Sequence, residues 1–282
     1  MDRRNFIKTL GVAGASAIPG KKLLAGHKVI APDGYGLLID TTRCAGCEAC
    51  SEACAEVNGL PEIDLDAIDN ATGLRKTSPT NYTTISEIET SKDTYYVKTQ
   101  CMHCNNPACA TACPTQALYK TEEGAVIWRE DKCMGCRFCM VSCPFEIPKF
   151  EYDSNNPKIS KCTMCWERLK EGEQPACVEA CDEGAIVFGK RKDLLEEAKT
   201  RIYQNPDDYY HYIYGENEVG GTSTMYLSAV PFEELGFKTN LGTTAYPEFT
   251  KNFLYSVPVV LTLWPAFLLA LNASTKRDDT DI

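Results

Sequence analysis

The chain has little of what a catalytic protein usually needs. Its 282 residues include only 3 histidines, which leaves little material for acid–base chemistry. The sequence has no glycine-rich G-x-G-x-x-G fingerprint for a dinucleotide, and no signature typical of molybdenum, nickel or nucleotide binding. No run of like charges is long enough to indicate a disordered tail. We therefore expect a role other than catalysis.

The net charge and the distribution of apolar residues exclude further classes of protein. A formal net charge of −10 argues against a nucleic-acid-binding protein and against a basic patch for lipid head groups. Hydrophobic residues make up an ordinary 44% of the chain, but the cysteine-containing region is poor in long apolar runs. We expect metal groups to replace much of the core there, so that metal binding and folding are coupled.

Cysteine is absent before position 44 and after position 181, and all 16 cysteines lie between in four groups. The four quartets are Cys44, Cys47, Cys50, Cys54; Cys101, Cys104, Cys109, Cys113; Cys133, Cys136, Cys139, Cys143; and Cys162, Cys165, Cys177, Cys181. The first and third are C-x2-C-x2-C-x3-C runs, and a proline follows Cys113 and Cys143. This pattern is typical of bacterial ferredoxins, in which the fourth cysteine of a run ligates the other cluster of a pair.

The spacing suits a cubane iron–sulfur cluster, which needs four thiolates from roughly tetrahedral directions. A C-x2-C-x2-C loop wraps three irons within one short turn, and the next cysteine reaches a neighbouring cluster. A disulfide scaffold fits poorly, because the share of cysteine is too low and the cysteines are not spread along the chain. Zinc is the stronger alternative, since C-x2-C pairs also build zinc ribbons. Zinc sites, however, require neither the third nor the fourth cysteine of these runs.

The N-terminus carries a possible export signal. The segment Asp2-Arg3-Arg4-Asn5-Phe6-Ile7-Lys8, followed by an apolar stretch from Leu10 to Ile18, resembles a twin-arginine signal. Asp2 stands where that motif usually has Ser or Thr. This route exports folded proteins, so metal clusters can be inserted in the reducing cytoplasm before export. Arginines that occur by chance in a disordered N-terminus are the alternative.

Near the C-terminus, residues 253–271 form a stretch of nineteen residues without a charge. This length is sufficient for a helix to cross roughly 30 Å of hydrocarbon. Pro258 and Pro265 lie within it, and such prolines are tolerated in membrane helices. Lys276 and Arg277 follow and indicate a cytoplasmic C-terminus, with the cysteine region on the outside. A buried hairpin or core helix is the alternative.

A weak internal repeat predicts the fold. The segment from Cys113 to Tyr119 recurs as the segment from Cys181 to Phe188, and short strands are predicted at 36–39 and 124–128. The expected fold is α+β, with two interleaved bacterial-ferredoxin-like (2[4Fe-4S]) modules plus one C-terminal transmembrane helix. The second and third quartets form the central module, and the first and fourth form the other.

The same pattern divides the chain into six regions. The boundaries are 1-26 for the twin-arginine signal region, 27-100 for the first cluster loop and an insertion, 101-150 for the central ferredoxin module, 151-250 for the fourth cluster loop and C-terminal extension, 251-273 for the transmembrane helix, and 274-282 for a cytoplasmic tail. The insertion contains a predicted strand at 95–97, and an amphipathic helix is predicted at 190–201. The tyrosines from Tyr209 to Tyr214 are expected to cover the cluster domain or, alternatively, to contact a partner.

Three segments carry a resemblance to a known family: Lys161 to Cys165, Pro175 to Cys181, and Tyr214 to Tyr226. With the quartets, they make the chain similar to the four-cluster ferredoxin subunits of membrane-bound respiratory oxidoreductases. Formate dehydrogenase beta subunits share much of this pattern. The twin-arginine opening and the single C-terminal anchor look more like the electron-transfer subunit of hydrogenase-2-type nickel–iron hydrogenases.

The resemblance implies four [4Fe-4S] clusters, because Cys136 is present where some relatives lack a cysteine and hold a three-iron cluster. Their implied ligand sets, named sites A to D below, are Cys44, Cys47, Cys50 and Cys181 (A); Cys101, Cys104, Cys109 and Cys143 (B); Cys133, Cys136, Cys139 and Cys113 (C); and Cys162, Cys165, Cys177 and Cys54 (D). His103, Trp166 and Arg137 are weaker candidates near the clusters. Asp182 beside Cys181 could lower a cluster potential, or it could be a solvated aspartate at the start of a helix.

The resemblance also implies the role. The chain would be a non-catalytic electron-transfer subunit on the periplasmic side of the inner membrane. It would relay electrons between hydrogenase small and large subunits and an integral membrane quinone-reactive subunit. The same role in a formate dehydrogenase, or in another molybdenum or tungsten oxidoreductase, is the first alternative. A zinc-stabilised exported binding module is an alternative of a different class.

Overall fold

A computed structural model describes residues 34–61 and 74–275 of the chain. The predicted export signal at 1-26 and the basic pair Lys276 and Arg277 lie outside these described residues. Within them the strands are β1 (Tyr35–Asp40), β2 (Thr84–Glu89), β3 (Thr94–Thr99), β4 (Leu118–Lys120), β5 (Val126–Trp128), β6 (Lys149–Phe150), β7 (Ile159–Ser160), β8 (Ile186–Lys190) and β9 (Thr224–Leu227).

The helices are mostly short. They are α1 (Ala49–Asn58), α2 (Ala108–Thr111), α3 (Phe138–Ser142), α4 (Trp166–Lys170), α5 (Ala176–Glu179), α6 (Arg191–Gln204) and α7 (Tyr246–Thr275). Four of them, α1, α2, α3 and α5, each begin one residue before the third cysteine of a quartet. Helices and strands alternate along the chain, which agrees with the mixed content expected of ferredoxin-like domains.

The largest sheet has the strand order β8-β1-β9, with β1 at its centre. Strand β1 pairs antiparallel with β8 and parallel with β9. Leu37 and Leu38 are completely buried because both faces of β1 are covered. At Gly36 the neighbouring chain is so close that a Cβ atom would lie 2.4 Å from the carbonyl oxygen of Ser223, so only glycine fits. The predicted strand at 36–39 is therefore confirmed as part of β1.

Pairs of elements bring the quartets together. Strand β1, which precedes the first quartet, pairs with β8, which follows the fourth. Strand β4, after the second quartet, pairs with β5, before the third. The helices follow the same grouping, since α1 packs against α5 and α2 packs against α3. The predicted strand at 124–128 is present as the shorter β5.

The internal repeat is visible in the backbone. The residue three positions after the last cysteine has a positive φ in three of the units: 55° at Gln116, 57° at Glu146 and 60° at Gly184. In each case its amide donates to the carbonyl of that cysteine, at 3.1–3.2 Å. This shared turn leads the chain from the cysteine into the next strand. Glycine is the residue that adopts such a turn without strain, and it occurs in one of the three.

The insertion packs onto the cluster domain. Strands β2 and β3 form an antiparallel hairpin in which Ile85 and Val97 are buried against the core of the β1 sheet. The predicted strand at 95–97 is therefore confirmed within β3. Further along the chain, Phe237 packs on the rings of Tyr214, Tyr226 and Phe232 at centroid distances of 4.7–5.3 Å. These aromatic residues cover the same side of the domain.

The predicted amphipathic helix is confirmed as α6, which places Leu194 and Ala198 against Leu38 and Met225 of the sheet. Beside it lies a buried polar network around Asp40, whose side chain is fully buried. The Asp40 carboxylate accepts hydrogen bonds from Arg201 at 2.9 Å and from the Tyr209 hydroxyl at 2.8 Å. These donors compensate a charge that would be costly to bury alone.

Helix α7 is the one candidate membrane span among the described residues, by its length and apolar composition. Its apolar window is not buried inside the protein, which argues against the alternative of a core helix. It begins at Tyr246 and contains both Pro258 and Pro265 without a break in the helix. Near its start, the Asn106 amide donates to Glu248 at 3.5 Å, which connects the helix to the second quartet loop.

We expect Arg201→Leu to lower the free energy of unfolding by about 3 kcal/mol, because it removes the closer and more buried of the two cations beside the buried Asp40 carboxylate. Arg43→Leu is the matched control, since half-exposed Arg43 lies 3.7 Å from the same carboxylate and should matter far less. The midpoint of urea unfolding of the metal-loaded protein, followed by circular dichroism, measures both variants. An equal decrease of the urea midpoint in both variants would contradict the role of Arg201 as the main cation that compensates the Asp40 charge.

Candidate metal centres

The first C-x2-C pair of each quartet has the same backbone turn. The residue before the second cysteine has a positive φ in every pair: 70° at Gly46, 47° at His103, 69° at Gly135 and 56° at Met164. This left-handed residue reverses the chain between the two thiols. At Gly46 a Cβ atom would also lie 2.4 Å from the ring of Tyr96, so glycine is required there for space as well. His103 and Met164 adopt the same conformation at a cost of about 1 kcal/mol each.

The third cysteine of every quartet occupies the second position of a helix and is buried. Cys50, Cys109, Cys139 and Cys177 are each 7–8% exposed. The fourth cysteine follows four residues later, about one helical turn further along the chain. Each run therefore presents three thiols on one side and its fourth thiol at a different position, as the ferredoxin pattern requires.

The structure brings together the members of each predicted set. One cavity is lined by the four cysteines of site A, a second by those of site C, and a third by those of site D. In all three, the fourth cysteine comes from a different quartet. At site B, burial and then the neighbouring Cys143 and Cys101 raise the pKa of both Cys104 and Cys109. Cys143 therefore lies beside the thiols of the second quartet.

The arrangement suits a cluster better than a single zinc ion. Across the described residues, which include all 16 cysteines, no three His, Cys, Asp or Glu side chains are grouped closely enough to hold one metal ion. Zinc would need four thiols about 2.3 Å from one point. Here the thiols surround cavities, as the four separate irons of a cubane require.

Burial controls the protonation of these thiols. It raises the pKa of Cys54 to about 12 and that of Cys177 to about 11. Cys113 differs, because burial is opposed by hydrogen bonds from the backbone amides of Leu118 and Ala117, and its pKa is lowered. A metal ion must displace the protons of the buried thiols, so metal loading releases protons.

Two buried N–H donors without partners support the fit of an iron–sulfur cluster. The Gln100 side-chain amide and the Trp128 indole nitrogen have no hydrogen-bond acceptor in the described structure. Gln100 lines the site D cavity and Trp128 lines the site C cavity. Buried donors are nearly always paired. The inorganic sulfides of a cluster would supply the acceptors that both side chains lack.

The four sites follow one another in the order A, D, B, C. Cys50 of site A and Cys177 of site D pack in the same hydrophobic cluster. Cys162 of site D packs in a cluster with Cys101 of site B. Site B in turn meets site C, because Cys109 packs with Cys139. The cysteine side chains thus form a continuous row through the domain.

The row has an accessible end on each side. Cys47 of site A and Cys136 of site C are the two cysteines classed as exposed, while the others are buried or half-buried. Apolar side chains surround Cys136 in sequence and are exposed to an unusual degree, with Met134 at 65%, Phe138 at 59% and Val141 at 87%. Exposed apolar groups of this kind mark interaction surfaces.

The sequence analysis missed a fully buried lysine beside the thiols. Lys98 on β3 is 1% exposed, and its ammonium lies 3.5 Å from the Cys50 sulfur and donates to the Thr83 hydroxyl. Burial lowers its pKa, but the negative charge of the Cys50, Cys177 and Cys54 thiolates outweighs burial and raises it. Strand alternation could not reveal this residue, because Val97 and Lys98 are both buried.

Two further lysines lie nearby, of which Lys161 is buried and Lys120 is half-buried. Lys161 donates to the carbonyl oxygens of Val126 and Cys162. Lys120 donates to the His103 carbonyl at 2.7 Å and the Ser223 hydroxyl at 2.9 Å. Burial lowers the pKa of Lys120 to about 8, against the opposing effect of the site B thiols. Lys161 directly precedes Cys162 in a segment that the sequence analysis had singled out.

The three weaker candidates make hydrogen bonds or ring contacts with neighbouring groups of the protein. His103 is fully buried, and its Nδ1 atom accepts a hydrogen bond from the Val126 amide at 2.8 Å. Burial, with Lys161 and Lys120, holds the pKa of His103 well below its usual value, so the ring is neutral. Trp166 donates to Glu123 at 3.0 Å, and Arg137 lies over the rings of Phe150 and Tyr152.

Asp182 directly follows Cys181 and is exposed. It lines the site A cavity together with Glu183 and Glu48. Site A is therefore bordered by carboxylates as well as by the ammonium of Lys98. The balance of these charges sets how readily a group bound there accepts an electron.

Comparison with known proteins agrees with this arrangement. Residues 92–191 match a 4Fe-4S dicluster domain family, and residues 43–117 match a second family of the same description. The chain is 44% identical to a protein of Nitratidesulfovibrio vulgaris over 99% of its own length and 78% of that protein. It is 34% identical to the hydrogenase-2 operon protein HybA of Escherichia coli O157:H7, over 100% of its own length and 98% of HybA.

A further relative belongs to another enzyme. The iron–sulfur subunit of the nitrate-inducible formate dehydrogenase of Escherichia coli K12 is 37% identical, over 67% of this chain and 66% of that subunit. The dicluster domains include cysteines of all four quartets, and two of these three relatives are a hydrogenase operon protein and a formate dehydrogenase subunit. The chain therefore belongs to the family of ferredoxin-type 4Fe-4S electron-transfer subunits of hydrogenase and formate dehydrogenase complexes.

Proposed function

We propose that this chain relays electrons through four [4Fe-4S] clusters between a periplasmic hydrogenase catalytic dimer and a membrane quinone-reactive subunit. The clusters supply one-electron redox chemistry when bound. The protein contributes their spacing, their burial and the hydrogen bonds to their sulfur atoms. The observation that carries the proposal is the continuous row of four cysteine sites with one exposed end at Cys47 and another at Cys136.

Sites A to D are proposed as the ligand sets. The three lined cavities and the position of Cys143 beside the second quartet support this assignment. The pairing of β1 with β8, and of β4 with β5, supports two interleaved ferredoxin-like modules. In such modules each pair of runs exchanges its fourth cysteines, which holds two clusters close together. The six sequence regions given above follow from the same division.

The protein's groups are suited to electron relay rather than to catalysis. The ring of His103 is neutral and its Nδ1 atom accepts a backbone hydrogen bond, so it is not available as a general base. Hydrogen-bond donors line or contact the sites, among them Gln100, Trp128 and Lys98. Donors of this kind stabilise added negative charge on sulfur, which is the requirement for holding an electron.

The share of each relative's length that the chain spans supports the assignment to a hydrogenase. The chain spans 98% of the HybA protein, but only 66% of the formate dehydrogenase subunit. A partner hydrogenase, with small and large subunits, is therefore proposed ahead of a molybdenum or tungsten oxidoreductase. Co-purification of the catalytic partner with the full-length chain, followed by mass spectrometry, separates the two assignments.

The location is proposed from the two ends of the chain. The apolar, unburied helix α7 would anchor the protein in the inner membrane, and the twin-arginine segment would direct the folded domain to the periplasm. Helix α7 contacts α2, which carries Cys109 of site B, and α2 also packs on α3, which carries Cys139 of site C. The exposed apolar residues around Cys136 would then meet the integral membrane subunit.

We expect the anaerobically purified protein to contain about sixteen irons and sixteen acid-labile sulfides per chain, because four cubanes hold four of each. Electron paramagnetic resonance during stepwise reduction should show spin-coupled signals from neighbouring reduced clusters. Zinc in place of iron would sink the relay and favour a zinc-stabilised binding module. Fully loaded protein that never becomes paramagnetic on reduction would also contradict the electron relay.

The exchange of fourth cysteines predicts a crossed pattern in single variants. Cys113→Ser should alter the same resonance signal as Cys139→Ser, and Cys143→Ser the same signal as Cys109→Ser, while the other clusters remain. Each variant is compared at equal protein concentration with the unaltered chain. If Cys113→Ser instead changed the signal that Cys109→Ser removes, each run would hold its own cluster and the ligand sets would be wrong.

A chain that ends at Ala245 lacks helix α7 and should move from the membrane pellet to the soluble periplasmic extract, because the apolar surface that inserts in lipid is gone. Leu261→Ala, a single change on that helix, is the matched control and should stay in the membrane. Retention of the shortened chain in the membrane would contradict the anchor. Its appearance in the cytoplasm would contradict export.

A further inference from the structure

The buried ammonium of Lys98 lies between two of the cluster sites. Its nitrogen is 3.5 Å from the sulfur of Cys50, a residue of site A, and it donates to the hydroxyl of Thr83. Lys98 lines the site A cavity, whereas Thr83 lines the site D cavity. The backbone of Lys98 is held as well, since its carbonyl accepts a hydrogen bond from the Tyr226 hydroxyl at 2.8 Å.

This ammonium has no ion-pair partner among the carboxylates of residues 34–61 and 74–275, and it is 1% exposed. A buried charge is costly unless an opposite charge lies close by. The groups beside Lys98 that become anions when metal displaces their protons are the cysteines of sites A and D. Lys120 and Lys161 differ, because their ammonium groups donate to carbonyl and hydroxyl oxygens. Lys98 is therefore the cation that the structure places directly against a cluster sulfur.

We propose that Lys98 holds a permanent positive charge between sites A and D and raises the reduction potentials of the clusters bound there. The inference rests on the proposed function, since it requires clusters at both sites. A reduced cluster carries one more negative charge than an oxidised one, and a nearby cation in a region without water stabilises the reduced form. Lys98 would accordingly make the clusters at sites A and D easier to reduce than they would be without its charge.

The test is a redox titration of the full-length chain in detergent, followed by electron paramagnetic resonance. Lys98→Met removes both the charge and the hydrogen-bond donor, whereas Lys98→Gln removes the charge and keeps a donor. Both variants should shift two of the midpoint potentials to more negative values and leave the other two near those of the unaltered protein. Two controls keep the buried charge: Thr83→Val, which removes the acceptor of Lys98, and Lys92→Met, which removes an exposed charge at the tip of the β2–β3 hairpin. Neither control should shift these two midpoint potentials as far as the Lys98 variants do.

Several outcomes would overturn the inference. Unchanged midpoint potentials in fully loaded Lys98→Met would contradict it. If Lys98→Gln had the midpoint potentials of the unaltered protein, the effect would be due to a hydrogen bond rather than to charge. Loss of about half of the iron, with the signals of sites B and C retained, would support charge compensation at A and D. Loss of all iron from both variants would show a purely structural role. Failure of the proposed function is distinguishable, because the unaltered protein would then lack reducible clusters.

Discussion

The structure depends on the requirement that sixteen thiols face shared metal groups rather than one another. All sixteen cysteines are free thiols, and seven of them are buried in the hydrophobic core with ordinary apolar side chains. The strands near them are short, with two or three residues in β4, β5, β6 and β7. Elements of that length cannot form a stable sheet on their own. The clusters therefore act as the core that these strands surround, and folding is tied to metal loading.

The same requirement explains the backbone. A thiol pair separated by two residues can face one cluster only if the chain reverses between them, and all four pairs use a left-handed residue to do so. Where the position is Gly46 or Gly135, the turn is free of strain. Where it is His103 or Met164, the strain is accepted because burial holds the side chain in place. Four copies of one turn thus produce four equivalent sites from different local sequences.

Charge is the second constraint. A chain with a net charge of −10 that also binds anionic clusters must lower the cost of placing negative charge in its interior. Three lysines do this from three different directions: Lys98 from the insertion hairpin, Lys120 from β4 and Lys161 from the position just after β7. Neutral donors such as Gln100 and Trp128 add to the effect without adding charge. The insertion is therefore part of the electrostatics of the domain as well as of its surface.

The sequence alone determined the local parts of this protein. Cysteine spacing defines a cluster loop within about ten residues, and an uncharged stretch of nineteen residues defines a candidate span. The strand at 36–39 and helix α6 could also be predicted from the sequence, because each depends on local periodicity. The tertiary structure alone decided what depends on distant residues. Lys98 reaches Cys50 across 48 positions, and β9 pairs with β1 across nearly two hundred. Such contacts leave no local pattern, since only the folded chain determines which buried charge lies beside which sulfur.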